Sequence, residues 1–247
     1  MHLDAATGTG LGPHLLMNTM DEDVREGAII IATDLSKPML KRLEIRMKQS
    51  ACFTENEKNS LNVKYEVEKE VKIEEEYEGV HLKAYVANSM SLPFKSAIFD
   101  SYTAGFSLMM VDDPLIMIKE AFRVLKPGKR AGFTVVREVI GIVQILKDAM
   151  LRAMLPPINL EMDKFLKLGK NPEEVIKMME ESGFTNIKYW SIDSVLPYCS
   201  GEEVYDDIFK VPFAPTNLNE EEKAKLKIAL VKEWKEKWDD PSALLFA

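Results

Sequence analysis

A glycine-rich segment near the start of the chain has the residue types of a nucleotide-binding turn. It runs Asp4-Ala-Ala-Thr-Gly8-Thr-Gly10, and Gly12 follows. Glycines remove side chains where a backbone bends tightly or approaches a ligand closely. The backbone N–H groups of such a turn, with a helix N-terminus behind them, can hold a polar or anionic group. The segment therefore predicts a ligand-facing turn between a buried strand and a helix.

A carboxylate follows at a distance that suits this chemistry. Asp34 ends an apolar run that begins at Ala28, and it lies 24 residues after Gly10. An unbroken apolar run is typical of a buried parallel strand. In strand–helix–strand nucleotide sites, an acid about 20 residues beyond the glycines reaches the ribose hydroxyls. Asp34 is thus a candidate ribose ligand; the alternative is an N-cap for the helix that begins near Lys37, which Ser36 could also supply.

Three further motifs follow these two along the chain. They are Asn88-Ser-Met-Ser-Leu-Pro-Phe94, Phe99-Asp100 and Glu120-Ala-Phe-Arg-Val-Leu-Lys-Pro-Gly128. Together with the glycine segment and the Ile-Ala-Thr-Asp that ends at Asp34, they make residues 3–136 resemble the class I S-adenosylmethionine-dependent methyltransferases with small-molecule acceptors. The style of the motifs is closest to the quinone- and sterol-type members of that family.

The resemblance implies S-adenosylmethionine as the methyl donor and gives donor-binding roles to a set of residues. In the family, the position of Asn88 contacts the adenine amino group, the backbone N–H of Ser89 meets a ring nitrogen, and Met90 packs on the adenine face. No catalytic residue and no metal ligand is assigned. The donor-binding residues that we predict are Asp4, Ala6, Gly8, Thr9, Gly10, Asp34, Leu35, Met39, Asn88, Ser89, Met90 and Thr103.

Side chains at the end of the predicted strand 97–104 could lie beside the donor and face the acceptor. Tyr102 and Phe106 are the aromatic candidates for cation–π attraction to the sulfonium, and Tyr102 and Thr103 are the polar ones. Because the methyl group of the donor is already activated, the protein has mainly to position and desolvate the reactants. A general base is needed only where the acceptor must lose a proton.

These motifs must be positioned by an α/β domain. We expect a doubly wound, Rossmann-like sheet of seven strands, mostly parallel with the last antiparallel, and the donor across the carboxyl ends of the first three strands. The chain is interpreted as one domain over 1–247, with an acidic surface insertion over 54–80 that forms strands or a short hairpin. Helical additions over 138–170 and 197–240 would lie near the acceptor side. The last two strands are expected at 184–195 and 242–247.

One of these additions carries an amphipathic pattern with two interpretations. Residues 140–155 are rich in methionine and branched apolar side chains. Such a face could clasp an apolar acceptor, because methionine adapts to irregular surfaces. Ordinary packing within the protein is the alternative.

Composition restricts the class of function. The net charge of −8 argues against nucleic acid as the substrate, because phosphate binding needs a basic surface. Two cysteines and three histidines show no metal-ligand spacing. No apolar run approaches the roughly 18 residues that span a bilayer, and no signal peptide is visible, so a cytoplasmic setting is the default expectation. The partner that we expect is a small, apolar or amphiphilic acceptor.

Two other functions fit parts of the pattern. The first predicted strand begins almost at Met1, whereas members of this family usually carry upstream helices that cover the donor. A protein that binds the donor without turnover is therefore an alternative. A nicotinamide-dependent oxidoreductase on a related fold is a third interpretation, which the Leu-Lys-Pro-Gly segment and the loop from Asn88 to Pro93 disfavour.

Overall fold

A parallel sheet of six strands forms the centre of the fold in the computed structural model. The model describes residues 1–25, 27–51, 53–67, 69–73, 80–138, 141–157, 162–192, 200–209 and 217–237. The strands are β1 His2–Ala5, β2 Ile29–Asp34, β3 Asn62–Val67, β4 His81–Val86, β5 Phe99–Gly105 and β6 Leu125–Thr134. Their order is β3-β4-β2-β1-β5-β6, and every neighbouring pair is parallel.

The strand order fixes where a ligand can enter. From β1 the chain proceeds outward to β2 and β4 on one side, and to β5 and β6 on the other. In open α/β sheets, ligands bind outside the carboxyl ends of the strands, at the point where the order reverses. Here that point lies between β1 and β5.

Ten helices occur among the described residues, and the helix after β2 begins at Lys37, as the sequence predicts. They are α1 Leu11–Thr19, α2 Glu22–Arg25, α3 Lys37–Gln49, α4 Glu55–Ser60, α5 Pro114–Val124, α6 Gly141–Arg152, α7 Met162–Lys170, α8 Pro172–Glu181, α9 Gly201–Ile208 and α10 Glu220–Lys237. The start of α5 shows the local signal: the Asp113 carboxylate accepts from the N–H groups of Leu115 and Ile116, and Pro114 fills the first position. No helix within the described ranges has the length and apolar character that crossing a bilayer requires.

The chain forms two compact units. The first comprises residues 1–135 and 172–187, and it contains the sheet. Its core is made by strand side chains with no exposed surface, such as Leu3, Ile30 and Phe99. The alternating and continuous apolar patterns of the sequence account for this burial.

The second unit comprises residues 136–171 and 188–247, and its described elements are helical. Helices α6, α9 and α10 share one apolar core, in which Ile145, Leu146 and Leu230 are completely buried. Arg152 of α6 pairs with Glu233 and Glu236 of α10. Most of the apolar face of α6 therefore packs within its own unit, which favours the ordinary-packing interpretation of that helix.

The described part of segment 54–80 does not stand outside the sheet. Thr54 and Glu57 form a reciprocal capping box that starts α4. β3 then pairs in parallel with β4 as an edge strand. The strand that the period-two pattern predicts is therefore confirmed for these residues, and it belongs to the central sheet rather than to a surface hairpin. The period-two pattern predicted the strand but did not indicate which strand pairs with it. The apolar side chains of that pattern, Val63 and Tyr65, are partly buried against the same core as α3.

Among the described residues, the sheet has no seventh strand and no antiparallel strand. Residues 184–192 are described and form no strand, and Tyr189, Trp190 and Ile192 along this segment are exposed. The alternation of their types therefore does not correspond to a buried sheet face. Residues 193–195 and the strand predicted at 242–247 lie outside the described residues.

Candidate functional site

The glycine segment forms a turn of left-handed backbone directly after β1. Ala6, Gly8 and Gly10 have φ values of 53°, 58° and 78°. A Cβ built on Gly8 would meet no atom within 4 Å, whereas one on Gly10 would lie 2.6 Å from Leu43 Cγ. Gly8 therefore leaves the turn open to a ligand, and Gly10 lets the turn approach α3 closely.

Asp34 joins this turn to the end of β2. Its Oδ2 accepts from the Gly8 N–H at 2.8 Å, and its Oδ1 accepts from the Ser36 N–H at 2.8 Å. Ser36 is the residue at the N-cap of α3, and Asp34 lies two positions before it. The N-cap interpretation of Asp34 is therefore wrong, because Ser36 occupies that position. Each carboxylate oxygen keeps a further lone pair with which it can accept from a ribose hydroxyl.

Arg46 supports the turn from α3. Its Nε donates to the Thr9 carbonyl oxygen at 3.0 Å, and its Nη2 donates to Thr9 Oγ1 at 3.3 Å. No spacing rule distinguishes Arg46 in the sequence from other basic residues of this helix, such as Lys48, which pairs with Glu44. A guanidinium suits this position because its planar donors can hold two acceptors of one residue at once.

A partly buried polar network lies beneath the turn, on one face of β1 and β5. The register places His2 opposite Ser101 and Asp4 opposite Thr103. Thr103 Oγ1 donates to Asp4 Oδ1 at 2.6 Å. The His2 ring bridges the other two: Nε2 lies 3.0 Å from Thr103 Oγ1, and Nδ1 lies 2.8 Å from Ser101 Oγ. No pattern in the sequence predicted a role for His2.

The network has one consistent pattern of protons. With Thr103 donating to Asp4, a neutral His2 donates from Nε2 to Thr103 and accepts from Ser101 at Nδ1. Burial lowers the pKa of His2 to about 4, which keeps the ring neutral at physiological pH. Burial also raises the pKa of Asp4, and the nearby Asp34 charge adds to this effect, while the Thr103 hydrogen bond opposes it. Because the Thr103 hydroxyl already bonds Asp4, it positions that carboxylate.

The loop after β4 holds the residues expected to contact adenine. Asn88 Oδ1 accepts from the Met90 N–H at 2.9 Å, so the asparagine closes a tight turn. Ser89 is buried, and Met90 is half-buried. The loop is brought to the same edge as Asp34 by the pairing of β4 with β2, because the Ala87 N–H donates to the Asp34 carbonyl oxygen at 3.0 Å.

Two residues of α5 hold this loop in place. Glu120 Oε2 accepts from the Leu92 N–H at 2.8 Å. Arg123 pairs with Glu120 and donates to the carbonyl oxygens of Phe94, at 2.7 Å, and Leu92, at 3.1 Å. This explains why the Glu120–Arg123 motif accompanies the Asn88–Phe94 motif: the ion pair supports the loop from behind.

The two aromatic candidates at the end of β5 have opposite environments. Tyr102 is 1% exposed and packs on the ring of Phe133, with centroids 5.5 Å apart, so the expectation that it faces the acceptor is wrong. Phe106 is 59% exposed. Alternation along the strand turns Tyr102 into the core, whereas Phe106 lies just beyond the strand's end.

The remaining predicted residues lie at the start of α3. Leu35 is 66% exposed, and Met39 is 36% exposed. Together the described residues therefore bring the glycine turn, Asp34 and the Asn88 loop to one edge of the sheet, with Asp4 and Thr103 as supporting groups below. Within the described ranges, no group of three His, Cys, Asp or Glu side chains could hold a metal ion.

Known proteins share this part of the chain. A family model described as a methyltransferase domain matches residues 3–133. The chain is 31% identical over 124 residues to demethylmenaquinone methyltransferase of Staphylococcus aureus, covering 44% of this chain and 49% of that protein. It is 28% identical over 113 residues to a mitochondrial 2-methoxy-6-polyprenyl-1,4-benzoquinol methylase of Caenorhabditis elegans, covering 42% and 40%. The chain thus matches less than half the length of these curated relatives.

A solved structure shares the fold. A crystal structure of a proposed methyltransferase from Bacillus halodurans superimposes with a TM-score of 0.50 and 16% sequence identity, covering 95% of this chain and 81% of that one. At this level of identity the likeness concerns the α/β architecture alone.

Proposed function

Because the chain belongs to the family of S-adenosylmethionine-dependent methyltransferases, we propose that it transfers a methyl group from this donor to a small-molecule acceptor. The observation that carries the proposal is the hydrogen bond from the Gly8 N–H to Asp34 Oδ2. It joins the two sequence motifs that are expected to hold the donor into one site. That site lies at the carboxyl ends of β1 and β2, where α/β sheets bind ligands.

The chain's own residues fit the donor at three points. The open space over Gly8 gives the donor's amino-acid end an approach to backbone N–H groups. Asp34 has the lone pairs to accept from ribose hydroxyls. The loop of Asn88, Ser89 and Met90 offers an amide oxygen, a backbone N–H and an apolar surface to the adenine. Ala6, Thr9, Gly10, Leu35 and Met39 complete the proposed donor site, and Asp4 and Thr103 support it.

Positioning accounts for the mechanism that we propose. When bound, the donor supplies an electrophilic methyl group on a sulfonium. The turn, Asp34 and the Asn88 loop would fix the orientation of that group, and holding two reactants in line can supply about 7–11 kcal/mol of the barrier. His2 and Asp4 already bond other members of the network beneath the turn, so neither is offered as a general base.

An apolar or amphiphilic acceptor fits the surface at this edge. Leu35, Phe106 and Met110 are apolar side chains that are more than half exposed there. The two relatives named above carry quinol and menaquinone names, and we infer an acceptor of that chemical class.

We further propose one methyltransferase domain over 1–247, with the residues 138–170 and 197–240 as additions to it. Nucleic acid is not among the proposed partners, since the net charge is −8. The proposed location is the cytoplasm.

Calorimetric titration with S-adenosylmethionine and S-adenosylhomocysteine tests the donor site. We expect micromolar binding to the unmodified chain and a loss of at least about tenfold in Asp34→Asn, because one acceptor oxygen of two is removed. Asp112→Asn, a change at an exposed carboxylate, is the matched control and should bind normally. If the folded chain binds neither compound, the proposed function is wrong.

Product formation separates an enzyme from a protein that only binds the donor. Incubation with labelled donor and a panel of demethylated quinols should yield a methylated product whose formation depends on Asp34. Tight donor binding without product from any quinol would instead support a regulatory role, and binding of a nicotinamide cofactor in place of the donor would revive the oxidoreductase interpretation.

A further inference from the structure

We propose that Phe106 supplies the aromatic face that stabilises the positively charged sulfonium of the donor. The inference rests on the proposed donor site and adds to it a residue that discriminates the charged donor from its neutral product. Phe106 is the first residue after β5.

The topology places Phe106 on the side of the site where the sulfonium must lie. Asp34 and Asn88, the proposed ribose and adenine contacts, follow β2 and β4 on one side of β1. The other end of the donor must then extend toward the crevice between β1 and β5. Asp4 of β1 pairs with Thr103 of β5. The glycine turn follows β1 and Phe106 follows β5, so the turn and Phe106 lie on opposite sides of that crevice.

The backbone at Phe106 is held in a conformation that phenylalanine rarely adopts. Its φ is 52°, in the left-handed region that large side chains avoid. The Phe106 N–H donates to the Thr134 carbonyl oxygen at 3.1 Å and to Thr134 Oγ1 at 3.0 Å. These bonds to the end of β6 hold the strained residue in place.

Core packing does not explain the strain, because the Phe106 side chain is 59% exposed. Strained backbone of this kind concentrates at ligand sites. The other aromatic residue at this strand end, Tyr102, is enclosed in the core and cannot reach a ligand. The geometry therefore assigns the sulfonium contact to Phe106.

The charge of the ligand provides the test. S-adenosylmethionine carries a positive sulfonium, whereas S-adenosylhomocysteine carries a neutral thioether, and only the former is attracted by a ring face through its charge. In Phe106→Leu, we expect the Kd for S-adenosylmethionine to rise by about 3- to 30-fold relative to the Kd for S-adenosylhomocysteine, the range of an ordinary cation–π contact. Phe106→Tyr should keep the original ratio of the two constants.

Two further variants separate binding from folding. Phe106→Gly relieves the left-handed strain, so it should keep or raise the melting temperature while losing the same discrimination as Phe106→Leu. Phe122→Leu changes another partly exposed ring, which packs edge to face against Phe184 with centroids 5.1 Å apart, and it should leave the ratio unchanged.

The outcomes distinguish this inference from the donor site on which it rests. A selective loss of S-adenosylmethionine affinity in Phe106→Leu and Phe106→Gly would support the sulfonium contact. Equal weakening of both ligands, or no change in either, would overturn it while leaving the donor site intact. If the unmodified chain binds neither ligand, the donor site and the sulfonium contact are both refuted.

Discussion

The two central glycines of the turn should respond very differently to alanine. Both have positive φ, at 58° for Gly8 and 78° for Gly10, and a left-handed conformation costs an L-residue about 1–2 kcal/mol. Gly8→Ala should therefore lose about 1–2 kcal/mol of unfolding free energy and no more, because its Cβ would enter open space. Gly10→Ala adds a second cost.

The second cost comes from the contact with α3. The new Cβ would lie 2.6 Å from Leu43 Cγ and 3.0 Å from Met47 Cε, and both side chains are buried in the core. Overpacking of this kind costs about 1–3 kcal/mol, so Gly10→Ala should lose about 2–5 kcal/mol in all. Donor affinity should instead fall chiefly in Gly8→Ala, because the new methyl group occupies the space through which the donor approaches.

Urea denaturation followed by far-UV circular dichroism measures the difference. Tryptophan fluorescence is unsuitable, since all three tryptophans, at 190, 234 and 238, belong to the second unit. Hydrogen exchange of peptides from β1 and α3 gives an independent reading of the first unit. Equal losses of stability in the two variants would refute the reasoning, because they would show that close approach to Leu43 is not what requires glycine at position 10.

Three other expectations follow from the contacts of the site. Thr103→Val removes a hydroxyl that lowers the pKa of Asp4, a pKa that burial already raises, so the ionised carboxylate becomes less favourable in the folded protein. The variant should lose about 1–3 kcal/mol of unfolding free energy at neutral pH. The loss should shrink as the pH falls toward the usual range of an aspartate, which urea titrations at several pH values would show. Tyr102→Phe removes a buried hydroxyl that has no hydrogen-bond partner among the described residues, so its melting temperature should equal or exceed that of the unmodified chain; a clear decrease would contradict this. In Arg123→Lys, the ammonium group cannot hold Glu120 and two carbonyl oxygens together as the guanidinium does. Calorimetry should therefore show about 3- to 10-fold weaker donor binding. Unchanged affinity would mean that the Asn88 loop needs no support from α5.

The sequence predicted those features that local pattern and spacing encode. The apolar run before Asp34 marked β2, and the glycines marked the turn. Each of these depends on residues close together in the chain, so the physical cause lies within the pattern itself. The meeting of Gly8 with Asp34 was also foreseeable, because the carboxyl ends of adjacent parallel strands share an edge.

Features that depend on a distant partner could not be predicted. The period-two pattern at Val63 and Tyr65 does not say which strand accepts β3. Arg46 has the same local environment in the sequence as other basic residues of its helix, and only the folded chain brings Thr9 to it. Tyr102 looked polar enough to face a ligand, but whether Tyr102 or its neighbour points inward depends on the register of β1 against β5.

The network beneath the turn also determines when the site can assemble during synthesis. Gly8 and Asp34 are 26 positions apart, whereas His2 and Ser101 are 99 apart. At ribosomal rates of about 5–20 residues per second, β1 waits roughly 5–20 s for β5 after its own translation. During that interval one edge of β1 has no native neighbour, and such an edge can pair with other chains. The side of the crevice that β5 forms is therefore completed late, and donor binding can stabilise the nascent protein only after that step.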